Sequence, residues 1–523
     1  MTAIFDRADR GDSLAAEQDS SAGAVRFAAP PVIAIAVVTG LILLVRSGRY
    51  EYFGDELYFL AAGDHLAPSY ADQGPLIPLL ARAAWTLVPG SVVTLRIPSI
   101  LAAVAGVLVA GAFAREMGGR RRAQVLAALA GATCPYLITQ AATLSTFALD
   151  SALSAAALWL LARWTRLRRD RLLVAVAAVI AVDLEVKLLA VVLCTGIIVG
   201  VAVAGPRELL SRPALWWSVP VVAMTALPGL FWQQRHGWPQ LTMGAVIRAE
   251  QRAATGGVPG LPVQWAVLTG LLGGLLALLG WWVLLRHSAL RAHRWIGIAA
   301  IVEVVFVTVS GGRPYYVAGL FPALFAAGAA AIPDVRHRAA RMAGAAVVAV
   351  SVAISLTVVS VLPLPLTRVD RPVRSQAELS TRMRTFGTSG WSRLIGGVDA
   401  AYRALPPGDR AGVVILTQTY WQAAALDELG PPDHPPVYSA DRGYAYFGSP
   451  GEAARIVLYV SAGVSETLPH NVFEFAVPVA WIDDPLGFPG IDHGVTVWRC
   501  RHPRQPWSVL WPSLTTLVLD PGL

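Results

Sequence analysis

Charge is scarce in this chain, and lysine is nearly absent. Only 15% of its 523 residues are Asp, Glu, Lys or Arg, against ~25% in a soluble domain. With 55% hydrophobic residues and a mean hydropathy of +0.55, that scarcity excludes an ordinary soluble globule. It places the chain among polytopic membrane proteins. The single lysine, Lys187, stands against 41 arginines. Arg and Ala dominance fits a GC-rich genome, so the net charge of +8 says little about an anionic partner. Cys134, Cys194 and Cys500 are scattered and odd in number, which excludes a disulfide framework and zinc spacing. The nine histidines form no metal cluster. A divalent metal is compatible with the chain but no residue pattern supports one, and no cofactor is required. No phosphate-cradling glycine fingerprint follows a strand, so nucleotide binding has no support, and nothing points to nucleic acid. The first 27 residues lack a basic leader: they hold five acids and three Arg. The apolar stretch from Pro31 to Val45 has no small-residue cleavage site after it. These features read as a short disordered cytoplasmic tail, 1–27, followed by a retained membrane helix.

What the chain has is apolar length. A helix needs ~20 mostly apolar residues to cross a bilayer. Eleven spans are expected, at about 28–46, 96–114, 123–142, 147–163, 172–186, 188–204, 214–232, 264–285, 295–310, 315–331 and 342–362. With the amino terminus inside, the loops 115–122, 163–171, 205–213, 286–294 and 332–341 carry 17 Arg together, and the much longer outer loops about seven basic residues. That asymmetry sets the orientation. Two outer loops are long, 47–95 and 233–263; short amphipathic pieces at 56–63 and 76–87 suit helices lying in the interface. A linker marked by Pro363 and Pro365 ends the membrane domain, 28–362. Beyond it, 363–523 reads as an extracytoplasmic α/β domain. Strands are expected at 412–416, 455–460 and 494–498, and a helix over 421–429.

Candidate chemistry gathers on the outer face. Asp55 and Glu56 sit among aromatics just past the first span, where a carboxylate is costly to desolvate; the plain alternative is a solvated acid or a helix cap. Asp150 lies at the outer end of the fourth span, and macrodipole stabilisation is its plain alternative. Lys187 is spaced i, i+4 from Asp183, so an internal ion pair is one reading. A compact ammonium used only once in an arginine-rich chain points instead to a specific anion such as phosphate. Arg313, Tyr315 and Tyr316 open the tenth span and fit either a lipid phosphate or an interfacial anchor belt. Arg248 and Arg252 are solvated loop charges unless the fold recruits them. His236 reads as part of an interfacial turn.

Several short motifs, in order, resemble glycosyltransferase family 39 of the GT-C superfamily, the branch with protein O-mannosyltransferases and the aminoarabinose transferase of lipid A. They are Gly54-Asp55-Glu56-Leu57-Tyr58-Phe59-Leu60-Ala61, Gly74-Pro75-Leu76, Arg96-Ile97-Pro98-Ser99, Ala148-Leu149-Asp150, Trp232-Gln233, His236-Gly237-Trp238-Pro239 and Arg313-Pro314-Tyr315-Tyr316. In the tail they continue at Gly390-Trp391, Tyr420-Trp421-Gln422 and Phe447-Gly448-Ser449-Pro450. One departure is Gln73-Gly74-Pro75-Leu76, where many members carry a basic or His residue and two prolines before the Leu.

The resemblance implies a polytopic all-α membrane domain of GT-C type with about eleven membrane helices and a C-terminal α/β domain. It implies a bacterial plasma-membrane glycosyltransferase that takes a sugar from a polyprenyl phosphate and passes it, with inversion, to the hydroxyl of a glycan, lipid or protein. Asp55 would be the general base, Asp150 would position or deprotonate the acceptor, and Glu56 would tune Asp55. Lys187, Arg313, Tyr315, Tyr316 and Arg248 would hold the donor phosphate. The competing readings are a non-catalytic flippase or transporter of lipid-linked sugars, disfavoured because no internal repeat is visible, and a cell-envelope scaffold.

Overall fold

The structure, a computed structural model, describes residues 25–333, 337–357, 371–375, 378–379, 381–383, 387, 389–462 and 467–518. Most of the expected tail 1–27 and the linker at Pro363 and Pro365 lie outside these residues.

The membrane part is helical. Its helices are α1 Ala29–Ser47, α2 Gly54–Asp64, α3 Leu76–Leu87, α4 Val92–Glu116, α5 Arg121–Ala132, α6 Pro135–Gln140, α7 Thr146–Leu167, α8 Arg171–Leu184, α9 Ala190–Ala204, α10 Pro213–Arg235, α11 Pro239–Thr255, α12 Leu261–Arg286, α13 Arg294–Ser310, α14 Phe321–Ala331 and α15 Arg338–Leu356. Six helical stretches of the described residues are long and apolar enough to cross a membrane: Ala29–Ser47, Val92–Glu116, Pro213–Arg235, Val258–Arg286, Ser288–Ser310 and Pro314–Ala331. Helices overlap all eleven expected spans, but length and composition do not establish the count of eleven. The span expected at 123–142 breaks before Pro135 into α5 and α6, because proline disfavours helical backbone in the residue before it. The one expected at 172–186 ends at Leu184. The stretch at 315–331 begins as a 3₁₀ turn, Pro314–Leu320, and the last turn of 342–362 lies outside the described residues.

Packing separates lipid-facing from protein-facing helices. α10 is almost wholly exposed and presents Trp216, Trp217, Val221, Met224 and Leu227. Such a surface is untenable in water and natural against acyl chains, where a helix satisfies its own backbone. Inside the bundle, Trp164, Trp295 and Phe325 are fully buried in one continuous core.

The C-terminal part is a five-stranded sheet in the order β2-β1-β3-β5-β4: β1 Val414–Thr417, β2 Val437–Ser439, β3 Ile456–Val460, β4 Phe473–Ile482 and β5 Val495–Pro503. β1 is parallel to β2 and β3; β5 is antiparallel to β3 and β4. Two helices matter here, α16 Trp391–Arg403 and α17 Tyr420–Leu429, the crossover between β1 and β2. The expected strands at 412–416, 455–460 and 494–498 are β1, β3 and β5; the ends of β1 and β3 differ by at most two residues, and β5 runs on to Pro503. β2 and β4 were not legible. β4 carries Pro478, which argues against a strand except at a sheet edge, and β4 is an edge.

Both parts share one hydrophobic core, in which Leu57, Tyr58 and Ile77 pack with Trp391, Leu394 and Trp421. A buried ion pair fixes the membrane side of this core. Arg96 of α4 donates to Glu56 of α2 through Nε at 2.9 Å and Nη2 at 2.7 Å, and both side chains are buried. Glu56 also accepts the backbone N–H groups of Phe53 and Leu144, and Arg96 reaches the carbonyl of Glu51 at 2.9 Å. Breaking a buried pair strands a charge and costs about 3–5 kcal/mol, whereas replacing both partners with apolar groups can restore stability. Arg96→Met is therefore expected to lower stability by about 3–5 kcal/mol, and Arg96→Met with Glu56→Met to recover part of that loss. The thermal unfolding midpoint of the protein in nanodiscs checks both.

Candidate functional site

The site is built where the first long loop meets the C-terminal sheet. Phe53 is extended and Gly54 starts α2, so Asp55 occupies the first turn. Its Oδ1 accepts two hydrogen bonds from α17: Tyr420 Oη at 2.7 Å and Trp421 Nε1 at 2.9 Å. No bond to Oδ2 occurs among the described residues. The two donors lie in the first turn of α17, at the carboxyl end of β1. There Thr419 caps the helix and Gln422 returns the bond to the Thr419 N–H, the capping-box arrangement. A helix N-terminus carries partial positive charge, so this end of α17 suits a carboxylate. Tyr420 is held in turn: its N–H goes to Asp441 Oδ2 at 3.1 Å, and its ring meets Tyr58 edge-on at 5.3 Å. Trp421 lies so close to the start of α2 that a Cβ on Gly54 would fall 2.4 Å from the indole.

A second layer surrounds Lys187. The loop at 72–76 is laced to the turn at 185–187 by Gly74 N–H to Val186 O and Leu76 N–H to Glu185 O, each 3.0 Å. A Cβ on Gly74 would lie 2.1 Å from Glu185 O, so this approach requires glycine, and the departure from the family pattern falls at this crossing. Lys187 Nζ donates to the Asp72 carbonyl at 3.2 Å and stands 4.4 Å above the centre of the Phe147 ring. Burial pushes its ammonium below the ordinary lysine value, while the charges of Asp72, Asp150 and Asp55 oppose that shift. Lys187 thus sits among three carboxylates from three segments. Burial raises the Asp72 carboxyl, and Lys187 pulls it back.

The alternative reading, an Asp183–Lys187 side-chain pair, is not found among the described residues. α8 ends at Leu184, and although the Lys187 N–H still reaches Asp183 O at 2.8 Å, the Lys187 side chain goes to the Asp72 carbonyl. Asp183 instead accepts from Ser154 Oγ at 3.0 Å. Asp150 is buried at 5% exposure, with no partner for its Oδ1 among the described residues. It lines a small recess with Ser154, Glu303 and Tyr316. Tyr315 and Tyr316 continue the wall from Phe147, at ring separations of 4.8 and 6.0 Å.

The remaining expected residues are placed differently. Glu56 points to Arg96 and the backbone, so the structure gives it a structural partner rather than Asp55. Arg248 donates to the Ser310 carbonyl at 2.6 Å. Arg313 pairs with Glu250 of α11 at 2.7 Å. Glu250 also takes Arg442, from the 3₁₀ turn after β2. His236 bonds Trp232 O at 2.8 Å and stacks on its indole, the expected turn. Among the described residues no three metal-ligating side chains come together. The motif that holds Tyr420 and Trp421 gives no local sign of their contact with Asp55, and no local pattern marks Asp72, Glu250 or Arg442.

Comparison with known proteins fits this arrangement. Residues 72–232 match the sequence model of the family described as dolichyl-phosphate-mannose-protein mannosyltransferase. No curated protein sequence matches the chain. The structure is similar to ArnT from Cupriavidus metallidurans in the apo state, with a TM-score of 0.61 and 16% identity over 90% of this chain and 97% of that one. ArnT bound to undecaprenyl phosphate gives 0.59 and 15%, with the same coverage. AglB from Archaeoglobus fulgidus, in complex with an inhibitory peptide and a dolichol-phosphate, gives 0.50 and 12% over 82% of this chain and 69% of that one. The mycobacterial arabinofuranosyltransferase AftD gives 0.50 and 15% over 90% of this chain and 41% of that one. The fold is that of the GT-C superfamily, a multi-pass helical membrane protein. Within that class its architecture is ArnT-like, with the small sheet at the carboxyl end.

The approach of α17 to α2 is testable without an activity. Gly54→Ala would push a methyl group into the Trp421 ring. It is expected to destabilise the protein by about 1–3 kcal/mol, the usual cost of overpacking, read as a lowered unfolding midpoint in nanodiscs.

Proposed function

We propose that the protein is a glycosyltransferase of the bacterial plasma membrane that takes a sugar from a polyprenyl-phosphate donor and passes it to an acceptor hydroxyl with inversion. In this reading the amino terminus is cytoplasmic, and the helical domain 28–362 carries the C-terminal domain 363–523 on the extracytoplasmic side. The observation that carries the reading is Asp55. Two neutral donors fix its Oδ1, and its Oδ2 is left to take a proton, beside a wall bearing Lys187 and the tyrosines. The likeness to ArnT and AglB, solved with undecaprenyl phosphate and with a dolichol-phosphate respectively, supports a polyprenyl-phosphate donor.

The chemistry follows from the side chains. Asp55 accepts the acceptor's proton as its oxygen attacks the anomeric carbon. The bond to the phosphate oxygen breaks, and its electrons leave with the polyprenyl phosphate. Lys187 and Arg313 stabilise that charge, with Tyr315 and Tyr316 flanking it and Arg248 further out. Asp150, at the edge of its recess, positions the acceptor. No metal is needed for these steps. The acceptor is a glycan, lipid or protein hydroxyl, and the sugar is a hexose or pentose.

Two experiments test the reading. A deletion strain is expected to lose an envelope glycan by mass analysis, and the wild-type gene to restore it. Asp55→Asn, though folded and expressed, is expected not to restore it; full restoration would remove Asp55 as the base. The second concerns pH. Because burial lowers the Lys187 pKa from its ordinary 10.5, its charge is lost earlier as pH rises, and donor affinity is expected to fall on the alkaline side. Lys187→Arg keeps its charge throughout, since guanidinium does not deprotonate there, and its affinity should stay flat from pH 7 to the alkaline limit. Undecaprenyl phosphate binding against pH makes the comparison, and parallel profiles would show that Lys187 does not hold the phosphate.

A further inference from the structure

A carboxylate occupies the place where two guanidinium groups converge. Glu250 Oε2 accepts from Arg313 Nη2 at 2.7 Å, and its Oε1 accepts from Arg442 Nη2. The three residues come from three segments: α11, the turn that opens the tenth span, and the C-terminal domain. Their side chains are 19%, 27% and 15% exposed, respectively. They are therefore desolvated enough for strong charge pairing, yet still reachable from outside.

Arg442 is poorly satisfied by protein alone. Among the described residues its Nη1 finds only the Met243 sulfur at 3.6 Å, a weak acceptor. Its Nε is buried without an acceptor among the described residues. The residue also takes a strained backbone, with φ of +47°, in a region that non-glycine residues rarely occupy. The surrounding structure holds it there: its N–H donates to Thr516 O at 2.7 Å, and the preceding Asp441 takes the N–H of Tyr420, whose hydroxyl holds Asp55. Strain kept in place by such contacts is characteristic of functional positions. The charges of Glu250, Asp441 and Asp72 all act on this guanidinium, and Asp72 is the residue whose carbonyl accepts Lys187. Arg442 therefore belongs to the same electrostatic neighbourhood as Lys187 and Asp55.

We propose that Arg442 belongs to the donor-phosphate site, and that Glu250 is a built-in counterion which the phosphate displaces from Arg313 and Arg442. The inference rests on the polyprenyl-phosphate reading above. A sugar phosphodiester carries one negative charge on two non-bridging oxygens, which is what the Glu250 carboxylate offers the two arginines. In transfer, the acceptor oxygen bonds the anomeric carbon and its proton goes to Asp55. The bond from that carbon to the phosphate oxygen breaks, and the electron pair stays with the phosphate. The leaving lipid is then a monoester with a charge approaching −2. Two guanidiniums and an ammonium match that growth in charge. Glu250 then competes for the arginines and favours release of the spent lipid.

The test is equilibrium binding of undecaprenyl phosphate to the full-length protein in nanodiscs, with undecaprenol as the phosphate-free control. Wild type is expected to bind the phosphate and not the alcohol. Glu250→Gln should tighten binding about tenfold and Arg442→Gln should weaken it about tenfold. Adding Glu250→Gln to Arg442→Gln should give a smaller gain than it gives alone, because one of the two competing partners is gone. Should Arg442→Gln fail to fold, Arg442→Lys replaces it: the charge remains and the forked donor is lost, so weaker binding is still expected. Wild-type affinity in Glu250→Gln would overturn the counterion role, and wild-type affinity in the Arg442 variants would overturn the phosphate role. If wild type itself made no distinction between phosphate and alcohol, the polyprenyl-phosphate reading would fall first, and this inference with it.

Discussion

The site depends on how the Asp55 carboxylate is held. In the proposed function Asp55 is the general base, which must be fixed in direction yet keep a lone pair for the incoming proton. An arginine on Asp55 would fix it and also quench it. Here the donors are a phenol and an indole, both neutral and both on one oxygen. The cations stand one layer back, each with a companion: Lys187 with the Asp72 carbonyl and the Phe147 face, Arg313 and Arg442 with Glu250, Arg96 with Glu56. Glu56, next to Asp55 in sequence, is held to Arg96 inside the protein, so the two adjacent acids do different work. One anchors the loop and the other faces the site.

This arrangement makes the two parts of the chain interdependent. Tyr420, Trp421 and Arg442 reach the site from the sheet domain, across a core shared by Tyr58, Ile77, Trp391 and Trp421. The carboxyl end of β1 and the first turn of α17 face the first loop, the edge where open α/β sheets commonly bind ligands. Here that edge is closed by the protein's own carboxylate. The membrane helices hold the other half: α8 ends early so that Lys187 turns back over the 72–76 loop, and Gly74 permits the crossing.

Helices were legible in the sequence because burial in a bilayer writes itself as long apolar runs. The positions of Asp55, Asp150 and Lys187 at span ends followed from the same pattern. The strands β1, β3 and β5 were legible as short apolar runs between turns, while β4 was obscured by Pro478. Pairings were another matter. Glu56 meets Arg96 across 40 positions, and Asp55 meets Tyr420 across 365; no local periodicity encodes such contacts. The alternative Asp183–Lys187 pair loses to distant partners, since Ser154 donates to the Asp183 carboxylate and Lys187 donates to the Asp72 carbonyl. Arg442 gave no signal because its importance lies in a backbone turn that only the folded domain creates.

The central claim is that the C-terminal domain aims Asp55 at an acceptor. The most direct test is the rate at which undecaprenyl phosphate is released from lipid-linked sugars extracted from the native membranes, measured for reconstituted wild type and for the double variant Tyr420→Phe, Trp421→Phe. Loss of aim alone is worth about a hundredfold in rate. The account predicts a fall of that order with donor affinity unchanged. Wild-type release by the double variant would contradict it.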